Sequence, residues 1–444
     1  MRYTKEEILD MLEEEDIEFV RLQYCDVMGT LKNFAIRAAH LEEALEYGWV
    51  FEGSKLNPDG SFSTEKMRLV PDLDTFEIFP FRPQQGKVAR LICDIKTYKN
   101  GEAHPQDSRA ILKKQLERAE KMGYRFLVAP ECEFFLFNCD NEGLATTETF
   151  DHGSNYDIGP RDQGENVRRD IILNLDDMGF DILSSYHEYS PGQHEIDFKQ
   201  SDALVNADRF LTFKMTVKTV AKRHGYHATF MPKPLADATG SGMHLHMTLT
   251  DLNGNNCFYD AADEKHMSKT AYHFMAGIMH HIKGISAITN PIVNSYKRLI
   301  SESDAPSMIT WSGDCYDSLI QYSESRKGEM NIELRSPDGT TNPYLAFAVC
   351  LAAGLDGIEK EMAAPEECTV PVAQMSADEI ATKGIQRLPI MLYESIVELE
   401  KDATLRAVIG DAIFEPYAKE KIKEHEDYMR QITQWELEKY LQIF

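Results

Sequence analysis

The sequence predicts an α+β protein in which a small, mostly β unit precedes a larger unit of alternating helices and strands. Strand-like alternation dominates before Tyr98, whereas helical and strand patterns alternate after Pro105. The stretch between these two residues is polar, and the 444 residues are too many for one small core. We therefore predict two domains, residues 1–102 and residues 103–444.

The first unit begins with a predicted helix at Lys5 to Glu15, followed by strands at Ile17 to Tyr24 and Thr30 to Ile36. The turn-forming residues Asp26-Val27-Met28-Gly29 lie between the two strands and predict a hairpin. The remaining elements predicted here are a short helix at 41–46 and strands near 76–79 and 88–95.

The second unit alternates helices with strands and shows no internal repeat or heptad run. The predicted helices span 108–122, 164–178, 201–224, 268–282 and 342–362, with a long C-terminal helix within 415–441. The predicted strands span 125–137, 181–187, 194–198, 228–231, 243–250 and 331–334.

Charge and composition argue against several classes of protein. The net charge of −26 at pH 7 disfavours nonspecific binding to nucleic acid or an anionic membrane, although a local arginine cluster can still bind an anionic substrate. The longest apolar run, Leu345 to Leu355, is too short to span a bilayer. The charged N-terminus lacks the apolar segment of a signal peptide. Eight scattered cysteines without a CxxC pair indicate a reduced, cytoplasmic protein.

A predicted buried strand at 130–137 carries two acids on one face. Residues two apart on a strand point the same way, so Glu131 and Glu133 lie side by side among aromatic and aliphatic neighbours. Two such carboxylates repel each other and cost several kcal/mol to desolvate unless a cation compensates them. A divalent metal ion explains the pair most simply. The alternative is a wet sheet edge where water solvates both carboxylates.

Two further segments collect acids and histidines. Glu188 and Glu195 flank a Tyr-Ser-Pro-Gly turn and can face one another across a hairpin. In the segment 240–246, His244 and His246 lie on one strand face after glycines that allow a close approach to a ligand. Taken singly, His244 is more simply a hydrogen-bonded core histidine and Glu195 a surface acid.

The strand Asn331-Ile332-Glu333-Leu334-Arg335 places an acid and an arginine on one face. Carboxylates outnumber histidines among all these candidates, and no cysteine is among them, so magnesium or manganese is favoured over zinc. The recurrence of such residues in several segments strengthens the prediction of a metal site.

Several longer blocks resemble the type I glutamine synthetase family over nearly the whole chain. A weaker similarity lies at residues 19–26. The specific blocks are Lys233-Pro234, Gly240-Ser241-Gly242-Met243-His244, Asn290-Pro291-Ile292-Val293-Asn294-Ser295-Tyr296-Lys297-Arg298-Leu299, Glu333-Leu334-Arg335-Ser336 and Asn342-Pro343-Tyr344-Leu345-Ala346. The resemblance implies an N-terminal β-grasp domain and a catalytic domain built on an antiparallel half-barrel backed by helices. It also implies a dodecamer of two hexameric rings, with each active site shared between neighbouring subunits.

In this family ATP phosphorylates the γ-carboxylate of glutamate, and ammonia then displaces the phosphate. The resemblance implies the same ligase reaction here, with Mg²⁺ or Mn²⁺. Phosphoryl transfer between two anions needs charge neutralisation, which metal pairs and arginine clamps supply. Carried over by motif, the ligands of one ion are Glu131, His244 and Glu333, and those of the other are Glu133, Glu188 and Glu195.

The resemblance implies further roles for individual residues. It places Arg298, Arg335 and the backbone of Gly240 at the glutamate and the transferring phosphate. The residues implied to be catalytic are Glu52, Asp304 and Arg335, and those implied to bind the nucleotide are His246, Thr248 and Arg326.

The sequence departs from the family pattern around the ammonium pocket. Glu52-Gly53-Ser54-Lys55 replaces an Asp-Gly-Ser-Ser loop whose aspartate helps to deprotonate ammonium, and Lys55 introduces a cation there. Asn155 stands where a tyrosine is usual, and Asp304 replaces the glutamate of a flap. The pocket for the amine is therefore rebuilt.

The phosphate side differs as well. Tyr316, Gln321 and Asn331 stand where the family has arginines, and Leu183 replaces a glutamate that commonly contacts the nucleotide. Removing one preorganised donor to a developing charge typically costs on the order of 100-fold in rate. Slow turnover is the expected consequence.

Regulatory residues are also missing. The loop at 385–389 lacks the tyrosine that one branch of the family adenylylates, and Ser61 replaces the arginine of the feedback-inhibited branch. Three interpretations remain open: a glutamate ligase that uses ammonia, a ligase that joins glutamate or a related acid to another amine, and a noncatalytic paralogue that keeps metal and ligand binding.

Overall fold

The computed structural model of the chain describes residues 2–53, 65–82, 85–300, 305–325 and 329–444. The residues singled out above that lie outside these ranges are Ser54, Lys55, Ser61, Asp304 and Arg326. Among the described residues, no helix is long and apolar enough to cross a membrane.

The N-terminal unit folds around a six-stranded sheet. Its helices are α1 (Lys5–Glu14) and α2 (Leu41–Tyr47), and its strands are β1 (Ile17–Cys25), β2 (Leu31–Arg37), β3 (Trp49–Glu52), β4 (Lys66–Pro71), β5 (Glu77–Ile78) and β6 (Lys87–Thr97). The strand order is β2-β1-β6-β4-β3, with β5 also on β6. β1 and β2 form the predicted hairpin. The sequence did not predict β3 and β4, which border a segment rich in turn formers.

Local sequence signals explain how the first unit packs. Helix α1 begins at a capping box, in which Thr4 accepts a hydrogen bond from the N–H of Glu7 and the Glu7 carboxylate accepts one from the N–H of Thr4. Ile8 and Leu12, one turn apart, are buried in the core of this unit. Burial of each side chain contributes roughly 1.5–3 kcal/mol relative to exposure.

The second unit is built on a nine-stranded sheet. Its strands are β7 (Tyr124–Asn138), β8 (Ile182–His187), β9 (Gln193–Phe198), β10 (Ser201–Asp202), β11 (Tyr226–Thr229), β12 (Met243–Asp251), β13 (Trp311–Ser312), β14 (Ile320–Glu324) and β15 (Met330–Leu334). The order is β13-β14-β15-β12-β7-β9-β8, and β10 and β11 also pair with β7. These pairs are antiparallel except for β13 with β14.

The described part of the second unit also contains helices. They are α3 (Ser108–Lys121), α4 (Glu165–Asp177), α5 (Ala203–Arg223), α6 (Lys269–Thr289), α7 (Val293–Leu299), α8 (Pro343–Glu359), α9 (Ala377–Thr382), α10 (Leu392–Lys401), α11 (Ala403–Ile409), α12 (Asp411–Met429) and α13 (Gln434–Tyr440). The buried helix α8 contacts α6 so closely that a Cβ at Gly277 would lie 2.1 Å from the carbonyl oxygen of Ala353. Glycine is required there.

The prediction of one long C-terminal helix is wrong. Helix α12 ends at Met429, and α13 begins at Gln434. The break arises because Thr433 forms a capping box with Glu436, and a residue that caps a new helix has extended rather than helical backbone.

Alternation along the strands gives the second sheet one apolar face and one polar face. Cys132, Phe134 and Leu245 are buried in the main core under the helices. Glu131, Glu133 and the other predicted metal ligands on these strands have the opposite parity and point away from that core. The period of two that was visible in the sequence therefore sets the position of the site.

The two units of the chain are joined by a buried ion cluster. Arg109 of α3 donates to Asp208 of α5, at 2.8 and 3.0 Å, and also to Asp72 and Asp94 of the N-terminal unit. Only 3% of Arg109 is exposed. Breaking one partner of such a buried cluster typically costs about 3–5 kcal/mol.

Candidate active site

The central strand β7 presents two neighbouring carboxylates on the polar face of the second sheet. Glu131 lies opposite His244 of β12, and Glu133 lies opposite Glu195 of β9. Cross-strand neighbours on one face have Cβ atoms only about 4.5–5.5 Å apart. The strand register therefore creates two adjacent groups of ligating side chains, one on each side of β7.

The first group, which we term the histidine cluster, consists of Glu131, His244, His246 and Glu333. Nε2 of His246 lies 2.8 Å from Oε1 of Glu131, and Nδ1 of His244 lies 3.0 Å from Oε1 of Glu333. Nδ1 of His244 is also 3.9 Å from Oε2 of Glu131. Each carboxylate of this cluster thus has an imidazole partner.

These partners shift the pKa values of the histidine cluster. Burial by itself raises the pKa of Glu333, but the hydrogen bond and charge of His244 outweigh burial and bring this pKa to about 2. Burial lowers the pKa of His246, yet its hydrogen bond to Glu131 raises the value to about 9. The pKa of Glu131 is lowered in the same way, against burial, by His246. Glu131 and His246 therefore favour each other's charged forms.

The second group, the carboxylate cluster, consists of Glu133, Glu188 and Glu195, each with an oxygen within 4.8 Å of the others. Its neighbours are neutral donors: the Tyr186 hydroxyl donates to Glu195 at 2.7 Å, and the Gln193 amide donates to Glu133 at 3.2 Å. Glu188 directly follows strand β8 at the turn, and Glu195 lies on β9 opposite Tyr186. The hairpin predicted from the sequence is present.

Burial and, after it, mutual repulsion disfavour the charged forms of the acids in the carboxylate cluster. Burial first, and then the negative charge of Glu133, raise the pKa of Glu188 to about 7. The same two causes raise the pKa of Glu195 well above its ordinary value. Three converging carboxylates with an all-oxygen donor set suit a hard divalent cation such as Mg²⁺ or Mn²⁺, whose charge would remove this repulsion.

Both histidines of the histidine cluster lie within reach of an ion there. Glu131, His246 and Glu333 each offer a ligand atom within 4.8 Å of the others. The sequence assigned His244 to the metal and His246 to the nucleotide, and the structure places both on the same face. Thr248, also assigned to the nucleotide, is buried, where its hydroxyl accepts from Gln200 and donates to the carbonyl of Met330.

Arg298, predicted to contact substrate, lies on α7 with only 1% of its surface exposed. Its guanidinium donates to the backbone carbonyls of Arg335, Ser336 and Pro337 at 2.8–3.1 Å. A Cβ at Gly242 would lie 2.5 Å from a guanidinium nitrogen of Arg298, which explains a glycine there. Arg298 thus fixes the strand end that carries Arg335.

Arg335 extends to the open side of the site. Its Nε lies 3.3 Å from Oε1 of Glu333, and one of its terminal nitrogens donates to the backbone carbonyl of Tyr316. The phenol of Tyr316 stands where the family has an arginine, and 65% of this residue is exposed. The loop that contains Tyr316 therefore contacts Arg335 through its backbone, and the side chain of Tyr316 adds no positive charge to the site.

A cavity of about 690 Å³ opens beside the carboxylate cluster. Its lining residues are Glu133, Asn155, Glu188, Tyr189, Ser190, Gln193, Lys233, Ala236, Asp237, Ala238, Thr239, Gly240 and Arg335. The cavity thus brings together Gly240 and Arg335, which were predicted to contact substrate, and Asn155, which stands where the family has a tyrosine. The predicted catalytic residue Glu52 lies on β3 of the other sheet, exposed, and is not among these lining residues.

Two of the positions at which the family resemblance implies an arginine carry an amide side chain instead. Gln321 donates to the carbonyl of Cys315 at 3.0 Å, and Asn331 donates to the hydroxyl of Ser323 at 2.9 Å and contacts Nδ1 of His246 at 3.1 Å. Both side chains hydrogen-bond locally and carry no charge. Leu183 on β8 is 64% exposed.

Sequence reasoning missed Asp197, which lies two residues after Glu195 on the same strand face. Its carboxylate accepts a hydrogen bond from the Ser184 hydroxyl across the hairpin. Burial raises the pKa of Asp197 above its ordinary range. The i, i+2 spacing that identified Glu131 and Glu133 could have identified this residue as well.

The chain matches the family models described as the glutamine synthetase β-grasp domain, over residues 16–98, and the glutamine synthetase catalytic domain, over residues 105–440. The chain belongs to the glutamine synthetase family. This confirms the family resemblance and the predicted fold class, a β-grasp domain followed by a half-barrel sheet backed by helices. The domain boundary after residue 102 stays a prediction.

Relatives of this family member align over its full length. Glutamine synthetase of Clostridium saccharobutylicum is 45% identical over 441 residues, which cover 99% of each chain. Glutamine synthetase of Staphylococcus epidermidis is 43% identical over 444 residues, which cover 100% of this chain and 99% of the relative. The protein is therefore a ligase of the glutamine synthetase family.

Two solved structures resemble this family member closely. One, described as "Apo GmaS without ligand", is 32% identical with a TM-score of 0.86 and covers 98% of this chain and 99% of that chain. The other, described as "GmaS/ADP complex-Conformation 1", is 31% identical with a TM-score of 0.87 and covers 100% of both chains. The second likeness supports nucleotide binding by this family member.

Proposed function

We propose that the protein is an ATP-dependent ligase that joins ammonia to the γ-carboxyl group of glutamate through a γ-glutamyl phosphate. The observation that carries this proposal is the carboxylate cluster, in which burial and repulsion raise the pKa of Glu188 to about 7 beside a cavity lined by Arg335. Three converging carboxylates that repel one another are an unfavourable arrangement unless a cation or a proton neutralises part of their charge.

The ligand assignment follows the two clusters. One ion would be held by Glu131, Glu333 and a histidine, which is His244 by the family motif and His246 by proximity, and the other by Glu133, Glu188 and Glu195. When bound, Mg²⁺ or Mn²⁺ would supply positive charge to the phosphate oxygens and to the carboxylate under attack. His244 and His246 lower the pKa values of Glu131 and Glu333, so these two carboxylates are ionised and able to bind an ion. A histidine of the cluster has to be neutral to act as a ligand.

We assign Arg335 to contact the transferring phosphate. It lines the cavity, and Arg298 fixes the backbone of its strand from behind. The planar guanidinium fork matches phosphate or carboxylate geometry, which lysine does not reproduce. The γ-phosphoryl group of ATP is transferred to a γ-carboxylate oxygen of glutamate, and the amine nitrogen then attacks the carbonyl carbon and expels inorganic phosphate.

Assembly of several subunits, with a dodecamer as the form expected from the family, belongs to the same proposal. Glu52 does not line this cavity, so in an assembly of the kind that the family implies a neighbouring subunit would supply this residue to a shared site. The C-terminal segment is strongly apolar and exposed, with Ile432 75%, Trp435 61%, Leu441 71% and Phe444 97% accessible. Exposed apolar surface of this kind is typical of protein interfaces.

The direct test is an assay of the purified protein with ATP, glutamate, ammonium and either Mg²⁺ or Mn²⁺. We expect phosphate release that depends on ammonium and glutamine as the product by mass spectrometry. Omission of metal serves as the control. No phosphate release with any amine, while ATP or glutamate still raises the melting temperature, would instead indicate a noncatalytic protein that keeps ligand binding.

A second candidate is a ligase for an organic amine. The observation that favours it is Asn155, which lines the cavity where the family places a tyrosine, so the amine side has a smaller side chain. The test is a panel of primary amines in the same assay with wild type and Asn155→Tyr. Turnover with an organic amine but not with ammonium, reduced in Asn155→Tyr, would select this candidate over ammonia.

A further inference from the structure

A second, fully buried group of ionisable residues lies behind the β8–β9 hairpin. Asp151, His187 and His194 each have 0% of their surface exposed, and Arg168 and Asp162 beside them have 5% and 4%. The rings of His187 and His194 pack edge to face with centroids 4.9 Å apart. Each histidine directly precedes a residue of the carboxylate cluster, Glu188 or Glu195.

Composition alone would allow this buried group to hold a metal ion, because Asp151, His187 and His194 offer ligand atoms within 4.8 Å of one another. Two contacts argue against that. A Cβ at Gly153 would lie 2.4 Å from Nε2 of His187, so backbone occupies the space an ion would need. A guanidinium nitrogen of Arg168 lies 3.0 Å from Nδ1 of His194, which places a cation beside the ring.

The hydrogen bonds instead form a brace for the hairpin. Nδ1 of His187 donates to the backbone carbonyl of Glu188 at 2.7 Å, and Nε2 donates to Oδ2 of Asp151 at 3.1 Å. The other carboxylate oxygen, Oδ1, accepts from the N–H of Gly192 at 2.7 Å. One buried carboxylate thus fixes both the strand end before Glu188 and the turn that leads to Glu195.

The second half of the brace holds the returning strand. Arg168 forms a two-point ion pair with Asp162, at 2.7 and 3.1 Å, and donates to Nδ1 of His194. Gly164 packs on the other side of that ring, where a Cβ would lie 2.4 Å from Cε1 of His194. The backbone on both sides of the hairpin is therefore held from the buried side, while Glu188 and Glu195 point to the polar side.

We infer that Asp151, acting through His187 and Gly192, is a positioning residue for the carboxylate cluster. Glu133, Glu188 and Glu195 repel one another and would spread apart if the hairpin could open. The brace holds Glu188 and Glu195 at the separation that a single divalent ion requires. Outer contacts of this kind typically change metal affinity by about 10- to 100-fold when they are removed. This inference rests on the proposed metal site at the carboxylate cluster.

The test is Asp151→Asn, measured by Mn²⁺ titration with electron paramagnetic resonance, which detects free Mn²⁺ directly and does not require activity. Asparagine has the size of Asp151 but only one acceptor oxygen. It therefore cannot accept from both His187 and the N–H of Gly192, as the carboxylate does. We expect one class of Mn²⁺ site to weaken about 10- to 100-fold, and the other to change by less than about 3-fold.

The matched control is Asp356→Asn, which removes the carboxylate of another buried His–Asp pair, at 3.0 Å from Nε2 of His281, that contacts neither cluster. We expect both classes of Mn²⁺ site to keep wild-type affinity in this control. Equal weakening in both variants would mean a general loss of stability and would overturn the positioning role, as would wild-type affinity in Asp151→Asn.

A second variant decides the question if Asp151→Asn does not fold. His187→Gln retains an amide donor toward Asp151 and loses the bond to the carbonyl of Glu188, so we expect a smaller loss of affinity, roughly 3- to 10-fold. Unchanged affinity in a folded His187→Gln protein would overturn the inference. Absence of Mn²⁺ binding by the wild type would instead refute the proposed metal site, which separates the two failures.

Discussion

The two clusters on either side of β7 contain similar acids in opposite electrostatic environments. In the histidine cluster each carboxylate has an imidazole partner, and the pKa of Glu333 falls to about 2. In the carboxylate cluster the partners are a phenol and an amide, and the pKa of Glu188 rises to about 7. The charges of the first cluster are compensated by side chains of the protein, whereas those of the second are relieved only by protons or by a bound cation.

This difference shows how one strand can build two metal sites of different character. An ion that binds the histidine cluster has to displace a proton from an imidazole, because only the neutral ring is a metal ligand. An ion that binds the carboxylate cluster instead relieves the repulsion between its acids. The predictions below test whether the two clusters differ in this way, beginning with the largest expected effect.

Loss of either cluster should abolish catalysis. Glu195→Ala and Glu333→Ala each remove one ligand, and metal ions contribute several kcal/mol of charge stabilisation to phosphoryl transfer. We expect phosphate release to fall by at least about 1000-fold in both variants, which corresponds to about 4 kcal/mol. Glu142→Ala, at an exposed acid outside both clusters, serves as the control. Substantial activity in either cluster variant would show that its cluster is not part of the reaction.

Metal binding should stabilise the folded protein. At Mn²⁺ equal to 100 times the dissociation constant, one site adds about 2.7 kcal/mol to the free energy of unfolding. We expect Glu188→Ala to lose most of this increment, measured by chemical denaturation with and without Mn²⁺. If EDTA leaves the stability of the wild type unchanged, the assignment of both clusters to metal is wrong.

Without metal, the same isosteric change should have opposite effects in the two clusters. Glu195→Gln keeps an acceptor for Tyr186 and cannot carry a repelling charge, so at a pH where Glu195 is ionised the metal-free variant should be more stable than wild type. Glu333→Gln leaves His244 without its charged partner and should be less stable. We expect differences of about 1–3 kcal/mol, the size of hydrogen bonds that involve charge. If both variants changed the free energy of unfolding in the same direction in EDTA, the proposed difference between the two clusters would be wrong.

Acidic side chains also stabilise the charged form of a histidine far from the site, at His281. Burial lowers the pKa of His281, but hydrogen bonds to Asp402 and Asp356 outweigh burial and raise it above the ordinary value. A raised pKa means that this contribution to stability is complete below the unfolded pKa of about 6.5 and is lost as pH rises through the folded pKa. We expect the difference in free energy of unfolding between wild type and His281→Gln to shrink by about 1 kcal/mol as the pH is raised through the folded pKa. Urea denaturation at several pH values measures this difference. A difference that grows with pH would contradict the assignment.

The sequence predicted much of the candidate site because its ligands lie on strands with a period of two. Glu131 and Glu133 on β7 and the hairpin that joins Glu188 to Glu195 were found from spacing alone. The short strands β3 and β13 were missed, since two to four residues cannot show a periodic pattern.

Contacts between distant segments could not be predicted in this way. The pairing of His246 with Glu131 depends on the register between β12 and β7, which no local pattern fixes. The burial of Arg298 behind Arg335 depends on the packing of α7. The brace formed by Asp151 and His187 joins a loop to a strand 36 residues later, and Asp151 has no periodic neighbours that mark it.

The ion cluster around Arg109 has a consequence for exchange of domains between relatives. Arg109 belongs to the catalytic domain, but two of its acid partners, Asp72 and Asp94, belong to the β-grasp domain. A chimera that takes its β-grasp domain from a homologue must bring acids at both positions, or it buries a guanidinium with too few counterions. Whether a β-grasp domain can be exchanged between homologues therefore depends on two side chains at its border, and not on the overall similarity of the two domains.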